Sequence, residues 1–127
     1  MSEQQAKSAD GSSNSLILVG LVQAKEGLED AFREWYLGNH VEDTYHCPVI
    51  TSARCFEASL GFMGEMPSGY ITFYEFTGDD AETMQAALGA YQADPDGWAQ
   101  RLPNNNSMEV VGAGWYNEVL SFGPKQI

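Results

Sequence analysis

The chain has 127 residues, 43% of them hydrophobic and 12% aromatic, enough to bury one core and too apolar for a disordered chain. Six Lys and Arg against eighteen Asp and Glu give a formal charge of -12, which argues against nucleic acid or an anionic membrane as partner. Two cysteines, Cys47 and Cys55, make no disulfide framework and read as free thiols of a cytoplasmic protein.

Residues 1–14 are polar and Ser-rich and read as a flexible tail, with no apolar run to serve as a signal peptide or anchor; residues 15–127 read as one domain. Leu16 to Val22 is a continuous apolar run, the mark of a strand covered on both faces. Gly27 ends the turn after it. From Leu28 a helical pattern predicts that Leu28, Ala31, Phe32, Trp35 and Asn39 share one side, and Pro48 must stop that helix. Val49 to Ala58 reads as a second strand. Residues 60–69 form a Gly- and Pro-punctuated connection whose Phe62, Met63 and Met66 suit a pocket lid or a dimer contact equally.

Tyr70 to Phe76, rich in aromatic and β-branched residues, is the third strand. Asp79 with Glu82 has capping-box spacing and opens a helix over Asp80 to Gln92. Asp94-Pro95-Asp96-Gly97 breaks it, Trp98 to Leu102 makes one more turn, and Met108 to Phe122 is a long fourth strand kinked at Gly112 and Gly114. The order βαββαβ predicts an α+β, ferredoxin-like arrangement: a four-stranded antiparallel sheet with helices on one face. The first and third strands are apolar on both faces, so the other face needs cover as well. A homodimer packing sheet on sheet supplies it.

The reactive-looking side chains gather between Trp35 and Pro48, which holds both histidines. At helical spacing Phe32, Tyr36 and His40 stack at i, i+4 and i+8, with Asp43 three residues on. Such an acid orients an imidazole and favours its protonated form, and histidine is the side chain best suited to proton transfer near neutrality. The competing role for His40 is a plain hydrogen-bonded bridge between helix and strand. His46 stands at the helix end, where capping the last carbonyls competes with catalysis. His40, His46 and Cys47 match no metal-ligand template, so neither metal nor cofactor is expected.

Tyr36, Tyr45, Tyr70, Tyr74, Trp35, Trp98 and Trp115 are core residues or the walls of an apolar small-molecule pocket, with Tyr74 and Asn117 the favoured hydrogen-bonding groups. Arg54 pairs with an acid (Glu57, Glu75 or Asp43) or binds a substrate carboxylate. No GxSxG, phosphate-binding loop, dinucleotide fingerprint or HExxH occurs.

Three segments carry a family resemblance. Trp35-Tyr36, His40-Val41, Asp43, Pro48, Ser52-Ala53-Arg54 and Phe56 form one run; Tyr70 to Glu75 forms another. The third comprises Asp94-Pro95-Asp96-Gly97-Trp98-Ala99-Gln100-Arg101 with Trp115-Tyr116-Asn117 and Gly123-Pro124. Together they resemble the EthD-like group of the dimeric α/β-barrel superfamily over most of residues 15–124. Leu37 and Asn39 stand where that group usually has acids. Glu42 stands where it has proline, which lets the helix continue past His40.

The resemblance implies the ferredoxin-like fold, a homodimer and chemistry on a small molecule, without choosing the reaction. Three functions remain in play. The first is a cofactor-independent lyase, isomerase or cyclase acting on a small, largely apolar carbonyl or hydroxylated compound. In it His40, Asp43, Tyr36 and Tyr74 are catalytic, and Trp35, His46, Arg54, Tyr70, Trp98, Trp115 and Asn117 bind substrate. The second is a small monooxygenase, cofactor-free or haem-using; the third is a non-catalytic dimeric ligand-binding module.

Overall fold

The computed structural model describes residues 15–65, 69–94 and 105–126. Its strands are β1 (Leu16–Ala24), β2 (Ile50–Glu57), β3 (Tyr70–Phe76) and β4 (Met108–Asn117), in the sheet order β2-β3-β1-β4. Every pairing is antiparallel. Between β1 and β2 runs a helical stretch in three parts: α1 (Glu29–Trp35), a π-turn (Tyr36–His40) and α2 (Val41–Tyr45). The helix α3 (Ala81–Gln92) links β3 towards β4. This is the expected ferredoxin-like topology, and the helix does continue past His40. Among the described residues no helix is long and apolar enough to cross a membrane. The tail 1–14, Met66 and Trp98 to Leu102 lie outside the described residues.

The buried side of the sheet is legible in β3. Tyr70, Thr72, Tyr74 and Phe76 are buried beneath the helices, while Ile71, Phe73 and Glu75 alternate with them on the far face. Two apolar clusters lie under the helices. One joins Leu16, Ile50, Tyr74, Phe76, Met84 and Leu88; the other joins Val22, Phe32, Trp35, Tyr36 and Tyr70. Burying a side chain such as Phe32 stabilises the fold by roughly 1.5–3 kcal/mol. The far face carries Ile17, Val19, Leu21, Ile71 and Phe73, all half-buried in the single chain, with Phe56 exposed beside them.

Several boundaries differ from the expectations. The first helix buries Phe32, Trp35 and Tyr36, whereas Leu28, Ala31 and Asn39 are exposed, so the apolar stripe is centred elsewhere. The α3 cap is Asp80: its backbone is extended and its carboxylate accepts the Thr83 N–H at 2.9 Å. Asp79 is one residue too early to do this. β4 ends at Asn117 because its partner, β1, begins at Leu16 opposite it. Past one last bond from Glu118 N–H to the Ser15 carbonyl, residues 118–126 pair with no strand, and Val119, Leu120 and Phe122 are exposed. The expected kink in β4 is a register shift against β1 that leaves Val111 without a counterpart beside Gly112.

Candidate functional site

The π-turn decides what surrounds His40. The Val41 N–H reaches back to the Tyr36 carbonyl, five residues away rather than four, so the turn holds one residue more than an α-turn. The extra residue brings the His40 ring against two aromatic rings at once. It lies 4.7 Å from Trp35 and 5.3 Å from Tyr36, centroid to centroid. The stack continues from Tyr36 to Phe32 at 5.1 Å and to Tyr70 at 5.7 Å. Such contacts add about 0.5–1.5 kcal/mol each beyond area burial.

Burial pushes the His40 imidazole down to about 4, and the Asp43 carboxylate opposes this without overcoming it. The acid favours the protonated form, as read from the sequence, and burial outweighs it. Withdrawal from water costs the imidazolium more than one acid returns, so the ring is neutral at pH 7. Asp43 is itself buried, and its carbonyl accepts a hydrogen bond from the Tyr91 hydroxyl at 2.6 Å. The Trp35 indole N–H is enclosed and meets no acceptor among the described residues. A buried donor of this kind costs about 1–3 kcal/mol when unsatisfied.

Beneath the stack runs a row of hydroxyls linking helix and sheet. Tyr36 and Thr72 lie 2.8 Å apart, oxygen to oxygen. The Tyr74 hydroxyl interacts with those of Tyr36 and Thr44, and Thr72 meets the Cys55 thiol. Thr44 donates in turn to the His40 carbonyl at 2.9 Å. Desolvation raises Tyr36 to about 12 and pushes Tyr74 further up, so both phenols stay protonated donors throughout the neutral range. Burial raises the Cys55 thiol as well, which leaves it a poor nucleophile at pH 7.

Of the residues singled out in the sequence, Trp35, Tyr36, His40, Asp43, Tyr70 and Tyr74 come together here. The others do not. His46 caps the end of α2, exposed, with its Nε2 3.5 Å from Glu42. Arg54 projects from the far face of the sheet over the Phe56 ring at 4.9 Å, beside a hollow of about 340 Å³ that Ile17, Phe73 and Glu75 also line. Its one-residue offset from Ala53 turns it away from His40. Glu57, one of its three possible acids, bonds Arg33 instead at 2.7 Å. Trp115 donates to Gln85 at 2.8 Å and stacks edge-on against Phe76, in the other cluster. Asn117 is exposed at the end of β4. Among the described residues no three His, Cys, Asp or Glu side chains gather to hold a metal ion.

The sequence reading missed Arg33, Thr44 and Thr72. Thr72 was detectable: it is the one hydroxyl between Tyr70 and Tyr74 on the buried face of an aromatic strand, and it has no exposed surface. Arg33 was not, because its partners Glu57 and Tyr70 approach it only through the sheet. With Gln23, Glu57 and Tyr70 it lines a cavity of about 290 Å³ beside the aromatic stack.

Comparison with protein-family models and with curated proteins returns no match. Solved structures do match. HapK from Hahella chejuensis shares 19% identity at a TM-score of 0.57, over 87% of this chain and 98% of that one. An EthD family protein from Bacillus halodurans shares 16% at 0.52, over 79% and 96%. A candidate monooxygenase from Shewanella loihica shares 10% at 0.54, over 84% and 96%. At these identities the likeness establishes the fold, and the fold is the one implied by the EthD-like resemblance.

Proposed function

We propose that the protein is a cofactor-independent enzyme that moves a proton on a small, largely apolar carbonyl or hydroxylated compound, with the His40 imidazole as base. The carrying observation is the placement of that ring: it is held between Trp35 and Tyr36, and burial leaves it in the neutral form that can take up a proton. Dehydrations, isomerisations and cyclisations of carbonyl compounds can all begin with such a step. Tyr36 and Tyr74 support the site from below as protonated phenols. In this reading a second copy of the chain covers the far face of the sheet, where Ile17, Val19, Leu21, Ile71 and Phe73 are otherwise half-exposed.

The test is proton exchange. The protein is incubated in D2O with a panel of simple ketones, hydroxyketones and 1,3-dicarbonyl compounds, and loss of the C–H signal is followed by proton NMR. Catalysed exchange that falls about 10²–10⁴-fold in His40→Gln, with an unchanged circular dichroism spectrum, supports the reading. Exchange undiminished in that variant, or no exchange alongside oxygen uptake on the same panel, overturns it. The second result would assign an oxygenase instead.

A further inference from the structure

Two hydroxyl groups hold the stretch that follows the π-turn. Thr44, four residues after His40, donates its hydroxyl hydrogen to the His40 carbonyl at 2.9 Å, and the same hydroxyl meets Tyr74 on β3. One residue earlier, the Tyr91 hydroxyl of α3 grips the Asp43 carbonyl at 2.6 Å. Consecutive residues of α2 are therefore tied to two different elements. Thr44 is buried, so its hydroxyl has no water to turn to. A Ser or Thr hydroxyl bonding the carbonyl four residues back also bends a helix.

We propose that Thr44 is a positioning residue: by tying the His40 carbonyl to Tyr74 on the sheet, it holds the π-turn open and keeps the His40 ring stacked on Trp35 and Tyr36. Its importance for turnover rests on His40 being the base. The clamp itself is a matter of ring placement and is measured without turnover.

The readout is the titration of His40 by NMR of its ring nuclei. The chain has two histidines, so a His46→Gln background leaves one signal to follow. Groups bearing on that ring include Asp43 on the helix and the Trp35 and Tyr36 rings. The parent is expected to titrate near 4. Thr44→Val keeps the shape of the side chain and removes the hydroxyl. It is expected to release the ring and move the midpoint toward the ordinary 6.5, with loss of the cross-peaks between His40 and Trp35. Thr44→Ser, which keeps the hydroxyl, is expected to titrate as the parent does. If Thr44→Val does not fold, Tyr74→Phe decides by removing the other end of the clamp. A folded Thr44→Val or Tyr74→Phe with the parent's midpoint overturns the proposal, and so does a Thr44→Ser that shifts as Val does. Lost exchange activity with an intact clamp, or the reverse, separates this proposal from the functional one.

Discussion

The rings of Trp35 and His40 meet at 4.7 Å although five residues separate them along the chain. In a regular α-helix five residues turn through about 500°, which leaves their side chains about 140° apart around the axis. The single extra residue of the π-turn closes that gap. Tyr36 keeps its own contact with His40 across the same turn, so the imidazole is flanked by two rings and withdrawn from water. Its neutrality follows from that withdrawal, and the first two predictions below follow from the packing that produces it.

The stability of the fold should depend on pH through His40. In the unfolded chain this group has its ordinary 6.5, and in the folded chain about 4. Between those values the unfolded state holds more protons, so stability rises with pH through this window and is lost on acidification. The full effect is about 3 kcal/mol. Urea unfolding at about pH 4 and about pH 7 should show the difference in the parent, and His40→Gln should lack this part of it.

Catalysed proton exchange should be flat from neutrality down to roughly pH 5 and fall below it, because the free enzyme's base has a depressed midpoint. The acid limb of kcat/KM is expected near 4. A limb near 6.5 would mean that the His40 ring is released from the stack in the working enzyme.

Removing one end of the buried hydroxyl row should cost more than its size suggests. Thr72→Val leaves the Tyr36 hydroxyl short of a partner 2.8 Å away and should destabilise by about 1–3 kcal/mol. Tyr36→Phe removes the opposite end. Since both act on one bond, the double variant should lose less than the two single losses added together, as read by chemical denaturation.

Two glycines make opposite predictions. Gly69 has φ +103° immediately before β3, and a Cβ there would strike the Val22 carbonyl. Gly69→Ala is expected to lose at least about 2 kcal/mol and to disturb the cavity beside Arg33. Gly38, in the π-turn, has open space where a Cβ would sit. Gly38→Ala should be neutral or stabilising by up to about 1 kcal/mol in thermal unfolding.

The far sheet face offers a test of assembly. Phe73 projects there with its ring 5.9 Å from Phe56, edge to face. If two copies pack these faces together, Phe73→Glu buries two like charges at the interface and should convert a dimer to monomer in light scattering. A parent that is monomeric at micromolar concentration (on the order of 10 μM) would remove the need for a covered face.

How much of this was written in the chain can be argued residue by residue. Tyr70 to Phe76 alternates between two faces and is a strand of the expected bounds, because a period of two survives whatever packs against it. The order of elements followed from such local signals, and with it the ferredoxin-like sheet. His40 stood out as the one histidine sharing a helical stripe with aromatic residues and an acid. Its surroundings were not legible. A period of 3.6 residues contains no mark of a π-turn, and only the fit of Trp35 and Tyr36 over the sheet makes the wider turn worth its cost. Arg54 and Tyr74 looked alike as polar groups on strands, yet one residue of register sends Arg54 to the far face and Tyr74 beneath the helix. The local sequence thus determined which segments are strands and helices and which histidine is the candidate. The tertiary structure decided its charge state, because that depends on how much water the neighbouring elements exclude and not on which residues adjoin it in the chain.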